Sequence, residues 1–120
     1  MKKIIIIAAL LGLTGCATNK GMYDWGGYDN LLYQSYKDPA DAAKNMQVLA
    51  AHIGALEKGG QRVAPGLHAD LGTMLLQAGD RAGALSNFRR ERELWPESAV
   101  LMDAMIKNLE KANQSKEPKV

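Results

Sequence analysis

Apolar residues recur along this chain at three- and four-residue steps, the spacing that gathers side chains on one face of an α-helix. The first predicted helix covers roughly residues 28–36, with Tyr28, Leu31, Leu32 and Tyr36 on related faces. The second begins at Asp38-Pro39. Asp38 suits an N-cap, and Pro39 suits the first helical position, where a missing N–H costs nothing. Asp41, three residues past the cap, favours the helix dipole. The apolar stripe is Ala42, Met46, Leu49, Ile53 and Leu56, and Gly59-Gly60 supplies a C-terminal stop that tolerates positive φ. The third helix runs from about Pro65 to Ala78, with Leu67, Leu71, Met74, Leu75 and Ala78 as its stripe. Gly79-Asp80 then breaks the chain and recaps it. The fourth spans Arg81 to about Leu94 and faces Ala84, Leu85 and Phe88 inward. The fifth, about Ser98 to Ala112, carries Leu101, Met105 and Leu109 at four-residue steps. Beyond the first fifteen residues, sustained two-residue alternation is absent and β-branched residues hardly cluster, which argues against a sheet. The expected class is all-α, and short links between amphipathic helices make neighbours antiparallel. Met46, Met74, Met102 and Met105 fall on helical stripes, where core packing is the default.

The N-terminus has a different pattern. Met1-Lys2-Lys3 is a short basic start, and residues 4–13 are a ten-residue apolar run. A spanning helix needs about 20 apolar residues, so the run reads as a secretory signal peptide. Leu13-Thr14-Gly15-Cys16 resembles the lipobox of bacterial lipoproteins at all four positions. The resemblance implies a signal peptide over residues 1–15, cleavage after Gly15, and a diacylglyceryl thioether with N-acylation (palmitate or a similar chain) at Cys16. Three long chains would hold the protein on its membrane, since each buried methylene contributes about 0.8 kcal/mol. Ala17 stands where Asp often marks inner-membrane retention, so the expected location is the outer membrane, facing the periplasm. The alternative is a secreted protein with one free cysteine. Residues 16–22 read as a lipidated tether, 23–112 as the helical domain and 113–120 as a polar, disordered tail.

Composition narrows the class further. The 120 residues fit one small domain. One cysteine excludes a disulfide scaffold. The formal charge of +2 comes from Lys2 and Lys3, so a chain starting at Cys16 is formally neutral. Neutral charge argues against nucleic acid as a partner.

Residues 65–98 resemble one tetratricopeptide repeat, matching at Leu71, Gly72, Leu75, Gly79, Ala84, Phe88 and Pro96. Gly72 and Ala84 are small enough to let two helices cross closely, and Phe88 is large enough to fill the groove between them. His68 and Glu91 depart from the pattern. Glu91 suggests a face that meets solvent or a short terminal helix. The resemblance implies a right-handed solenoid fragment, with helix five as its cap and helices one and two as a divergent preceding pair. A generic helical hairpin is the alternative. Two pairs and a cap make a small core.

Five of the seven aromatic residues, Tyr23, Trp25, Tyr28, Tyr33 and Tyr36, fall within fourteen positions. They could plug the open end of the stack, form an aromatic contact surface, or rest at lipid headgroups near the anchor. The run Tyr23-Asp24-Trp25-Gly26-Gly27-Tyr28, followed by Leu31-Leu32-Tyr33, is similar to a family of small uncharacterised lipoproteins of Gram-negative bacteria. Its members are commonly encoded beside a lipoprotein similar to the curli secretion channel, which implies a shared envelope assembly with other lipoproteins as partners.

Candidate chemistry is sparse. His52 and His68 lie on different helices without an adjacent ligand pair, and read as surface or half-buried residues rather than metal ligands. Arg89-Arg90-Glu91-Arg92-Glu93 reads as a solvated face with an Arg89–Glu93 pair at i,i+4. No catalytic, cofactor or small-molecule substrate site is expected. The favoured reading is a non-enzymatic, membrane-anchored interaction or scaffold subunit of an envelope assembly. Its partner-binding residues would be Tyr23, Trp25, Tyr28, Tyr33 and, by the repeat resemblance, Ala69, Thr73 and Gln77. The alternative is a structural lipoprotein contacting peptidoglycan.

Overall fold

A computed structural model describes residues 21–115. The signal peptide, Cys16, most of the tether and residues 116–120 lie outside the described residues. The order is α1 (Tyr28–Lys37), a 3₁₀ turn (Pro39–Asp41), α2 (Ala42–Lys58), α3 (Leu67–Gln77), α4 (Arg81–Leu94), a second 3₁₀ turn (Pro96–Ser98) and α5 (Ala99–Gln114). The fold is all-α. Each helix packs on its predecessor, most extensively α4 on α3, then α5 on α4, with α1 a lighter addition to α2.

Local chemistry sets the boundaries. The Asp38 carboxylate accepts from Ala40 N–H and starts the 3₁₀ turn that Pro39 opens. At the end of α2, Gln61 N–H donates to Leu56 C=O and Gly60 N–H to Glu57 C=O, with Gly60 at φ +66°. That is a Schellman stop, which needs a left-handed residue and therefore favours glycine. The same motif closes α3: Asp80 N–H donates to Leu75 C=O and Gly79 N–H to Leu76 C=O. Asp80 then accepts from Gly83 N–H and caps α4. α4 ends at Trp95, and Pro96 turns the chain into α5.

Two adjoining clusters form the core. Leu49, Ile53 and Leu56 of α2 meet Val63, Ala64, Leu67 and Leu71. Ala84 and Phe88 of α4 meet Met102 and Ile106 of α5. Leu75 packs against both clusters. The α3–α4 crossing depends on Gly72, where a Cβ would lie 2.6 Å from the Phe88 ring and 3.2 Å from Ala84 C=O.

Several sequence expectations need correction. On α5 the buried residues are Met102 and Ile106, whereas Leu101 is 61% exposed. Met105 and Leu109 pack on the α4–α5 cluster as expected, beside the buried Met102 and Ile106, so the correction falls on Leu101 alone. Ala42 and Ala78 are exposed at helix ends. Helix continues through Asn113 and Gln114, the first two residues of the stretch expected as a tail. Of the two surroundings expected for Glu91, solvent is excluded, since it is 0% exposed, whereas the start of the terminal helix is beside it at Ser98. Glu91 lies seven residues after Ala84 on the same inward stripe and accepts from Gly66 N–H at the start of α3 (2.7 Å), with Ser98 Oγ at 3.5 Å. The charge run is not one solvated face, because the helical period aims its members differently. Arg89 pairs with Glu110, Arg90 with Glu57 and Glu93, and Arg92 with Asp103. An Arg89–Glu93 pair does not form.

Candidate interaction site

α1 is held to α2 by a polar contact that the apolar pattern did not show. Buried Asn45 donates from Nδ2 to Ser35 Oγ (2.7 Å), and that hydroxyl donates to Leu31 C=O (3.0 Å). The join leaves an open, mainly apolar groove of about 520 Å³ between α1, the first turns of α2 and the outer flank of α3. Leu32 and Tyr36 form one wall, Met46 the middle, and Thr73, Met74 and Gln77 the other. Asp70 is the acidic group in this lining. Burial, and next the Glu91 carboxylate, push its carboxyl above the ordinary value.

The expected partner-binding residues separate into different places. Thr73 and Gln77 line the groove, Thr73 donating its hydroxyl back to Ala69 C=O (2.9 Å). Ala69 faces the α4–α5 cluster instead. Tyr23 sets its ring edge-on against Trp95 (centroids 5.3 Å, 89°) and packs on the α2–α3 core with Tyr28. Trp25 leans on Tyr28 at 6.3 Å and is 41% exposed. Tyr33 and Tyr36 point outward, and of these two Tyr36 reaches the groove. The aromatic run is thus part plug and part surface. Sequence reasoning missed Asp70 and the joint formed by Asn45 and Ser35, and read Met46 as core alone, whereas it packs on the core and also lines the groove. A polar residue on an otherwise apolar stripe was the available signal for Asn45.

A second cleft, of about 590 Å³, lies between α2 and α4 on another flank of α3. Buried His68 stands in its wall, correcting the expectation of a surface or half-buried residue. Asn87 Nδ2 donates to Gly83 C=O (2.9 Å), which aims Asn87 Oδ1 as an acceptor at His68 Nδ1 (2.8 Å). His68 Nε2 then faces Glu57 Oε1 at 3.4 Å without a hydrogen-bond partner. Arg90 hydrogen-bonds the same Glu57 carboxylate, which holds the guanidinium pKa above its ordinary value. His52, half-buried on α2, contacts Asp24 C=O through Nε2 (2.9 Å) and fixes the segment before α1. Among the described residues, no group of three His, Cys, Asp or Glu side chains is placed to hold a metal ion.

The fold and its open groove define a small all-α protein of successive helical hairpins. Residues 22–105 match the model of a family described as a domain of unknown function, DUF4810. The match covers well over half of the chain, and the protein belongs to that family. No curated protein and no solved structure matches it.

Proposed function

We propose that this protein is a membrane-anchored lipoprotein and a non-enzymatic scaffold subunit of a cell-envelope assembly, holding a partner protein in the groove of α1, α2 and α3. The observation that carries the reading is the groove itself. It is open and mainly apolar, and each helix that walls it also packs side chains on the core. Arrays of helical hairpins commonly bind partners on such surfaces. Anchoring is supported by Leu13-Thr14-Gly15-Cys16 after a signal-like run, and an envelope assembly by the resemblance to lipoproteins encoded beside a secretion-channel-like lipoprotein.

Affinity capture of the lipidated protein from gently solubilised membranes tests this. The wild type should bring down a defined envelope protein. Thr73→Arg, which puts a charged side chain into the groove, should lose it at unchanged melting temperature. A wild-type protein recovered only as a lone monomer would overturn the scaffold role. Uptake of a clickable fatty acid by wild type and none by Cys16→Ala would establish the anchor.

A further inference from the structure

The antiparallel helices bring alternate connections to the same end of the molecule. One end gathers the entering segment 21–27, the 59–66 connection and the 95–98 turn. Contacts fix this grouping: Tyr23 on Trp95, Trp95 Nε1 donating to Val63 C=O (3.2 Å), and Arg62 donating to Leu94 C=O while its guanidinium lies 4.0 Å over the Trp95 ring. The groove runs along the flank of α3 from Asp70, in its first turn, to Ala78, and much of its lining, including Tyr36, Pro39, Ala42 and Gln77, lies toward the other end.

The first end also concentrates exposed apolar side chains. Met22 is 87% exposed and Trp25 41%, and Val100 (86%) and Leu101 (61%) occupy the first turn of α5, just past Trp95. Lys58 and Arg62 supply cations there, and Arg62 belongs to none of the ion pairs found among the described residues. Asp24 and Glu97 supply opposite charge, so attraction to anionic lipid is not the main force. Exposed Trp and Met beside Arg and Lys suit the boundary between headgroups and acyl chains, where an aromatic ring sits and a cation reaches phosphate.

Chain length selects the occupant. Tyr23, the first side chain packed on the body among the described residues, is seven residue steps from Cys16. Whatever path those residues take, they span at most about 25 Å. α2 alone, with 17 residues, is about as long at 1.5 Å per residue.

We infer that the end formed by Met22, Trp25, Arg62 and the first turn of α5 rests on the bilayer surface, so that the far part of the groove, around Tyr36, Pro39 and Gln77, is held away from the membrane. This inference rests on lipidation at Cys16. The seat is a second, weaker contact beside the anchor, and it fixes orientation rather than attachment. Membrane-side variants therefore change how the body stands without releasing it.

Tryptophan emission tests the seat, because the two tryptophans differ. Trp95 is 6% exposed beneath Tyr23 and Arg62, whereas Trp25 faces outward. Lipidated full-length protein is reconstituted at low density in phosphatidylethanolamine–phosphatidylglycerol vesicles, with or without brominated acyl chains. The Trp25→Phe variant gives the Trp95 signal alone. Brominated lipid should reduce the Trp25 contribution by about half or more and leave Trp95 nearly unchanged, and Trp25→Glu should still float with the vesicles. Protein that floats but shows no quenching of Trp25 overturns the seat while the anchor stands. A blue shift of Trp25 that depends on protein density and not on bromination assigns the patch to a second copy instead, which also overturns it. Protein that does not float overturns the anchor, and the seat with it.

Discussion

Glu91 is the residue whose environment differs most from its type. A carboxylate with no exposure normally costs several kcal/mol unless it is paired or hydrogen-bonded. Here it meets the N-terminus of α3, where Gly66 N–H donates to Oε1 and the helix dipole favours negative charge. Glu91→Ala would leave that N–H without its acceptor and open a cavity, and should cost about 2–4 kcal/mol in urea denaturation. Glu91→Gln keeps the acceptor oxygen and should cost less than half as much. Asp70 carries the consequence of having Glu91 nearby. Its carboxyl is raised above 3.8 by burial first and by Glu91 second. In the window between 3.8 and that higher folded value, the folded state binds more protons than the unfolded one. Stability therefore falls as pH rises through the window. Asp70→Asn should remove this decline and be slightly more stable than wild type at pH 7. Glu91→Gln should bring the Asp70 titration, followed by NMR, closer to the ordinary carboxylate value.

At the level of helices, boundaries were highly legible because local chemistry sets them. Asp38-Pro39, Gly59-Gly60 and Gly79-Asp80 each do in the structure what their types suggest: a cap and first-turn proline, a Schellman stop, and a stop followed by a cap. Gly72 was legible for a related reason, since a small residue opposite Ala84 and Phe88 permits a close crossing. Gly72→Ala would push a methyl into the Phe88 ring and the Ala84 carbonyl, both in the buried crossing, and should destabilise by about 1–3 kcal/mol despite its better helix propensity. Chemical denaturation of the two proteins side by side is the check. A stabilising result would show that the crossing can widen without loss. The orientation of α5 was not legible. Leu101, Met105 and Leu109 make as regular a stripe as Met102 and Ile106 with Met105 and Leu109. What the neighbouring helices place opposite, Ala84 and Phe88 among them, distinguishes Met102 from Leu101.

At the level of the whole molecule, the aromatic segment closes the fold. Tyr23 returns from the tether to lie edge-on against Trp95, which is itself tied to Val63 C=O. Three separate stretches of chain meet there within one small core. Tyr23→Ala should therefore lower stability by about 1–3 kcal/mol, beyond the usual surface substitution. Trp25→Ala should lower it by less than about 1 kcal/mol, because that ring rests on Tyr28 and faces outward. Thermal denaturation of the domain without its anchor compares them. Equal losses would show that Trp25 is as much a part of the plug as Tyr23.

The sequence by itself determined the all-α class, the five helices and the punctuation between them, because periodicity, capping and positive-φ glycines act over a few residues. The same short range made the Gly72 crossing readable. Tertiary structure decided which flank of each helix is buried, how Glu91 and His68 came to be enclosed, and that Tyr36, Met46, Asp70 and Thr73 meet in one groove while Ala69 and Tyr23 do not. Those outcomes depend on residues distant in sequence, and on the angle at which one helix crosses the next. A repeating apolar stripe constrains that angle weakly, and side-chain shape and polar joints such as Asn45 with Ser35 fix it.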